Sequence, residues 1–202
     1  MGVRKTGTIG RPRDPELEQR VHTAVLELYN EVGWPGLTYD AVARRASVGK
    51  AALYLRWPTK EKLLLDALEA RTLPLQLTDS GSVRLDLLNF ARQMISFYLG
   101  PEGWLVLRVA VEARARPELL GPMQERFGRA ILAARAIVHR AIERGELPPT
   151  ASATLVTDLV AGAVLNHLLA TPQHLYEPML QQLDHYLERL IDMVLAGAVA
   201  NS

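Results

Sequence analysis

Residues 37–60, LTYDAVARRASVGKAALYLRWPTK, constrain this chain more than any other stretch. Ala41, Val42 and Ala46 give a first short helical pattern its apolar side, while Arg44 and Arg45 fall on the wet side. Ser47-Val48-Gly49 interrupts the pattern. Beyond it, Leu53 and Trp57 lie four residues apart and share one helix face, assigned here to the core. Lys50, Ala52, Tyr54 and Arg56 face other directions. Two short helices around a tight, Gly-containing turn form a helix-turn-helix. The small Ala51 and Ala52 suit close approach of the second helix to another surface, read here as the major groove of DNA.

The remaining pattern is helical throughout. Residues 1–13, rich in Gly, Thr and basic side chains, are expected to form a flexible arm. Asp14-Pro15 opens a helix, with Asp capping free amides and Pro placed where no donor is needed. Leu17, Val21, Ala24, Val25, Leu28 and Val32 form its stripe, Gly33 ends it, and Trp34-Pro35-Gly36 turns the chain. Thr38 and Thr59 have N-cap chemistry for the second and fourth helices, the fourth running to about Leu73 before Pro74. Further helices are expected over Val83–Leu99, Trp104–Ala115, Met123–Arg144, Ser152–Ala170 and Pro178–Leu195. Arg116-Pro117 or Gly121-Pro122 should end the second of these. No strand alternation is visible. The fold class is all-α with about nine helices. Three segments follow: a basic arm (1–13), a DNA-binding domain (14–73, helix-turn-helix about 37–56), and a further helical domain (74–202).

Charge follows the same division. The net charge of +1 separates into +4 over residues 1–60 and −3 over residues 61–202. Arg4, Lys5, Arg11 and Arg13 precede any acid, so the basic end suits a polyanion as well as it suits a solvated tail. With no cysteine, disulfides and thiolate metal sites are excluded, which suits the cytoplasm. No uninterrupted apolar run of about 18 residues is expected to span a membrane. The most apolar segment, Leu155–Leu169, holds Asp158, Asn166 and His167. His22, His139, His167, His174 and His185 have no metal-ligand spacing, and no nucleophile or phosphate-loop motif occurs. Neither an enzyme nor a cofactor is expected.

Several motifs recur in order: Gly10-Arg11-Pro12-Arg13, Leu37-Thr38, Val48-Gly49-Lys50-Ala51-Ala52-Leu53-Tyr54, and Trp57-Pro58-Thr59-Lys60-Glu61-Lys62-Leu63-Leu64. This arrangement, over about the first third of the chain, resembles the TetR family of bacterial transcriptional regulators. The resemblance implies a ligand-responsive repressor that binds a palindromic double-stranded operator as a homodimer. By position, Lys50, Ala51, Ala52, Leu55 and Arg56 would face base edges or nearby sugars. Tyr54, Lys60 and Thr38 would meet phosphates, and Arg11 and Arg13 would follow the backbone or enter the minor groove. The chemistry agrees: Arg can bond guanine through two donors, and Ala or Leu can touch a thymine methyl. Two departures stand out. The turn reads Ser47-Val48-Gly49 where Gly-Val-Ser is usual, so Ser47 lacks glycine's freedom at positive φ. Leu55 stands where a polar residue is usual.

The resemblance further implies that residues 74–202 are an effector-binding and dimerisation domain with an effector pocket, for which Met94, Phe97, Tyr98, Trp104, Leu107, Arg108, Glu112, Phe127 and His139 are candidate lining. A plain core fits the same residues, and Arg108 with Glu112 can pair along one helix. Leu180, Leu183, Leu187, Leu190 and Val194 make a narrow seam of coiled-coil type. With Leu159, Gly162 and Ala163 they are the candidate dimer interface, although packing within one chain fits them equally. A helical small-molecule binder with a vestigial reading head is the alternative to a regulator.

Overall fold

A computed structural model describes residues 15–71 and 75–200. Among these there are ten α-helices, one 3-10 turn and no strand. The chain divides into two compact units, Met1–Ala70 and Arg71–Ser202.

The N-terminal unit contains α1 (Pro15–Gly36), α2 (Tyr39–Ala46), α3 (Lys50–Arg56) and α4 (Lys60–Arg71). Regular helix stops at Gly33, whose φ of 66° and ψ of −170° kink α1 at the expected residue. Val32, immediately before the kink, is exposed rather than part of the buried stripe. Val21, Val25 and Tyr29 of α1 are fully buried, as are Leu37, Val42, Leu53, Leu64 and Leu68.

The C-terminal unit contains α5 (Val83–Leu99), α6 (Gly103–Ala113), α7 (Pro117–Glu143) and α8 (Ala153–Ala170). The 3-10 turn Gln173–Leu175 then leads to α9 (Tyr176–Gln181) and α10 (Leu183–Ala200). One apolar cluster joins α5, α7, α8 and α10, including Leu87, Ile137, Val160, Val164 and Ile191. Two sequence boundaries move. Pro117 opens α7 instead of closing α6, because a first-turn residue needs no donor. The expected last helix is two helices: Gln182 donates back to Met179 O at 3.2 Å, which closes α9 and restarts the chain as α10. The helix count is therefore ten.

The eighteen residues of α8 are long and apolar enough to cross a bilayer, with a mean hydropathy of 1.5. Asp158, Asn166 and His167 nevertheless interrupt the apolar run of this helix, as expected. Its apolar character has a packing cause, since Ala153, Val156, Val160, Val164 and Leu168 are buried in the apolar cluster.

Candidate nucleic-acid interface

Short helices need their ends satisfied, and α2 shows how this chain does it. Thr38 is extended, and its Oγ1 accepts a hydrogen bond from Ala41 N at 3.2 Å. At the other end Ser47 adopts φ 55° and ψ 46°, the left-handed conformation. Ser47 N donates to Arg44 O and Val48 N to Ala43 O, at 3.3 and 3.0 Å. This pair of bonds is a Schellman closure, usually made by glycine. Gly49 follows with an ordinary φ of −70° and starts α3 without a side-chain cap. The unusual turn order thus puts a side chain where glycine is preferred and glycine where a cap is preferred.

Seven residues cannot hold a helix in water by themselves, so α3 depends on anchors. Leu53 and Trp57 are buried, as expected. Trp57 Nε1 donates to Asp66 Oδ2 at 2.9 Å, and the edge of its ring meets His22 with centroids 5.6 Å apart. Tyr39 Oη donates to Trp57 O at 2.5 Å, while its ring stacks on Tyr54 at 4.1 Å. Burial, then the neighbouring Tyr54, raises the Tyr39 pKa. Tyr39 escaped the sequence reading because its only signal, proximity to Tyr54, is tertiary.

The ten expected DNA contacts separate into four groups. Ala51 and Leu55 point away from Leu53 and are exposed, Leu55 at 87%; Tyr54 is 47% exposed and Ala52 half-buried. Lys50 Nζ donates to Asp40 Oδ2 at 2.8 Å, a bond that raises the Lys50 pKa, and Thr38 is engaged in capping. Arg56 and Lys60 turn back on their own unit. Arg56 lies 3.8 Å from Glu18 with its side chain 26% exposed, because three residues after Leu53 it leans toward the buried side. Lys60 Nζ donates to Trp34 O at 3.0 Å and sits 3.9 Å from the Trp34 ring centroid. In this structure Arg56 stands beside Glu18, and Lys60 ties the start of α4 to the end of α1. Arg11 and Arg13 lie outside the described residues. Arg45 is held by Glu31 through two bonds of 2.7 and 2.8 Å, whereas Arg44 is exposed with no carboxylate partner among the described residues.

In the C-terminal unit Trp104, Leu107, Arg108 and Glu112, joined by Val111, lie along one side of α6 and form an open, shallow surface. Tyr98 lies 5.9 Å from Trp104 and 5.2 Å from Phe97 between ring centroids, and burial raises its pKa. Met94 packs half-buried on the apolar cluster. Phe127 is half-buried and His139 exposed, and neither borders that surface. The expected dimer seam needs correction. Leu187 and Val194 are 1% and 7% exposed inside the chain's own core, with Leu180, Leu183 and Leu190 packed against it. Ala163 is half-buried, its carbonyl accepting from Tyr186 Oη at 3.3 Å. Leu159 and Gly162 remain exposed, beside Leu155 and Leu169 of α8, and Met193 and Val199 are exposed on α10. Three-four spacing marks an apolar stripe, but not what it packs against.

Comparison with known proteins covers both units. Residues 23–67 match the family described as "Bacterial regulatory proteins, tetR family", and residues 77–194 match "Tetracyclin repressor-like, C-terminal domain". The HTH-type transcriptional regulator AqdR of Rhodococcus erythropolis is 31% identical over 193 residues, covering 95% of this chain and 90% of that protein. The crystal structure of the TetR family transcription regulator SCO0332 is 28% identical with a TM-score of 0.60, covering 90% of this chain and 98% of that one. Bacillus subtilis FadR in complex with stearoyl-CoA shares the fold at 16% identity and a TM-score of 0.61, covering 91% and 98%.

Proposed function

The chain belongs to the tetR family of bacterial regulatory proteins and is a helix-turn-helix transcriptional regulator, and from that premise we propose that it is a ligand-responsive repressor binding a palindromic operator as a homodimer. This is not an enzyme class. The observation that carries the DNA-reading role is the outward face of α3, where Ala51, Tyr54 and Leu55 are exposed on a helix otherwise fixed by Leu53 and Trp57. A helix of this length reads only a few base pairs, so specificity needs a second copy at a fixed spacing. The exposed Leu155, Leu159 and Leu169 of α8 with Met193 and Val199 of α10 support that second copy, because apolar surface of this kind favours association. Phosphate attraction falls to Lys50, Arg44 and the basic residues 1–13, all tied to work in the cytoplasm where the chromosome lies.

The open α6 surface, apolar at Trp104, Leu107 and Val111 and polar at Arg108 and Glu112, supports a small effector with an apolar part. Bacillus subtilis FadR, which shares the fold, is in complex with stearoyl-CoA, and this supports an effector of that kind. The test is a gel shift of the purified chain on promoter DNA from its own and neighbouring genes at low salt. A retarded band that weakens steeply with salt is expected, with a single dimer mass in sedimentation. No retardation at low salt would instead support a small-molecule binder with a vestigial head.

A further inference from the structure

We propose that Leu55 reads the 5-methyl group of a thymine in each operator half-site, so that the centre of the reading face selects by methyl contact rather than by hydrogen bonding. The proposal rests on the DNA-binding reading above and adds the chemistry of the base it recognises.

Leu55 is 87% exposed, the most exposed of the large apolar side chains described. It lies two residues from the fully buried Leu53, hence on the opposite side of α3, with Ala51 one turn earlier on the same outward side. Neither Ala51, Ala52 nor Leu55 carries a donor or acceptor. Tyr54 beside them is pinned by its ring to Tyr39 at 4.1 Å. The two cations flanking the face are turned to carboxylates of their own unit, Lys50 to Asp40 at 2.8 Å and Arg56 to Glu18 at 3.8 Å. What α3 offers to a groove is therefore short and apolar at its centre. The major-groove edge of DNA carries one apolar group that distinguishes a base, the C5-methyl of thymine. The short Ala51 leaves room for the helix to approach until Leu55 reaches that depth. Cytosine methylated at C5 presents the same group in the same place, so a face of this kind also accepts it.

The experiment uses the full chain. A randomised duplex library is selected for binding, and the enriched half-site is resynthesised with uracil for each thymine in turn. At one thymine per half-site, loss of the methyl should lower affinity about four-fold, equivalent to about 0.8 kcal/mol, and about fifteen-fold when both half-sites are changed. Placing 5-methylcytosine there should bind more tightly than cytosine. Leu55→Ala should bind thymine and uracil operators equally while keeping its dependence on every other position. Because Leu55 is exposed, the variant keeps its fold, and circular dichroism verifies this. Uracil sensitivity that persists unchanged in Leu55→Ala, or no sensitivity in the parent chain, overturns the proposal. A library that enriches no sequence overturns the DNA-reading premise and the proposal with it, a different failure.

Discussion

In the N-terminal unit polar groups link the helices pairwise. Arg45 joins α2 to Glu27 and Glu31 of α1, Tyr39 joins α2 to the end of α3, Asp66 of α4 holds Trp57, and Lys60 holds the end of α1. In the C-terminal unit α5, α7, α8 and α10 share one apolar cluster, and the cross-helix ion pairs Arg84–Asp192 and Arg92–Asp184 lie near its surface. The difference follows from helix length. Helices of seven and eight residues bury few side chains, so their direction depends on individual contacts. Helices of seventeen to twenty-seven residues spread the same task over many side chains. A reading head must hold one face steady, whereas under the proposed function the C-terminal unit would let helices shift, and exposed ion pairs contribute little to resisting that.

The largest test of this contrast is Trp57→Ala. Removing a buried aromatic anchor should cost about 3–5 kcal/mol and abolish DNA retardation. Chemical denaturation followed through the N-terminal unit measures it. Retained binding would mean that α3 is held by something other than Trp57. Lys60→Met is next, with an expected loss of about 1–2 kcal/mol in the DNA-free chain from the Trp34 ring and carbonyl contacts. If stability is unchanged but the salt slope of binding falls by about one, Lys60 is a phosphate contact and the tether is incidental.

Ser47→Gly should stabilise the N-terminal unit by about 1 kcal/mol, since glycine adopts the left-handed closure without its steric cost. The thermal midpoint reads this, and a lower midpoint would reject the strain assigned to Ser47. The smallest effect is expected in the C-terminal unit. His167 stacks on Tyr186 at 3.9 Å, and burial lowers its pKa below 6.5. The unfolded chain therefore takes up the proton first, so this contribution is full above pH 6.5 and declines as pH falls below it. His167→Phe keeps the stack and should flatten the midpoint difference between pH 7.5 and 5.5. An equal drop in both proteins would place the pH response elsewhere.

Local chemistry was legible in the sequence wherever one residue type suffices. Thr38 and Thr59 announce helix starts through cap chemistry, Gly33 announces a stop through its backbone freedom, and Leu53 with Trp57 announces the buried side of α3 through spacing. The family comparison marked Ser47 as standing where glycine is usual, and the structure puts it in the left-handed conformation. Orientation relative to other segments was not legible. Arg56 and Lys60 looked like free cations until Glu18, thirty-eight residues earlier, and the Trp34 ring came beside them. The apolar stripe of residues 180–194 fitted a seam between chains and packing within one chain equally, until Leu187 and Val194 joined the core shared with α5 and α8. Periodicity and caps depend on neighbours within a turn or two, so the sequence by itself determined where helices lie and which side is apolar. Which apolar side meets its own chain, and which charge finds a partner, depends on segments far apart in sequence, and only the tertiary structure decided that.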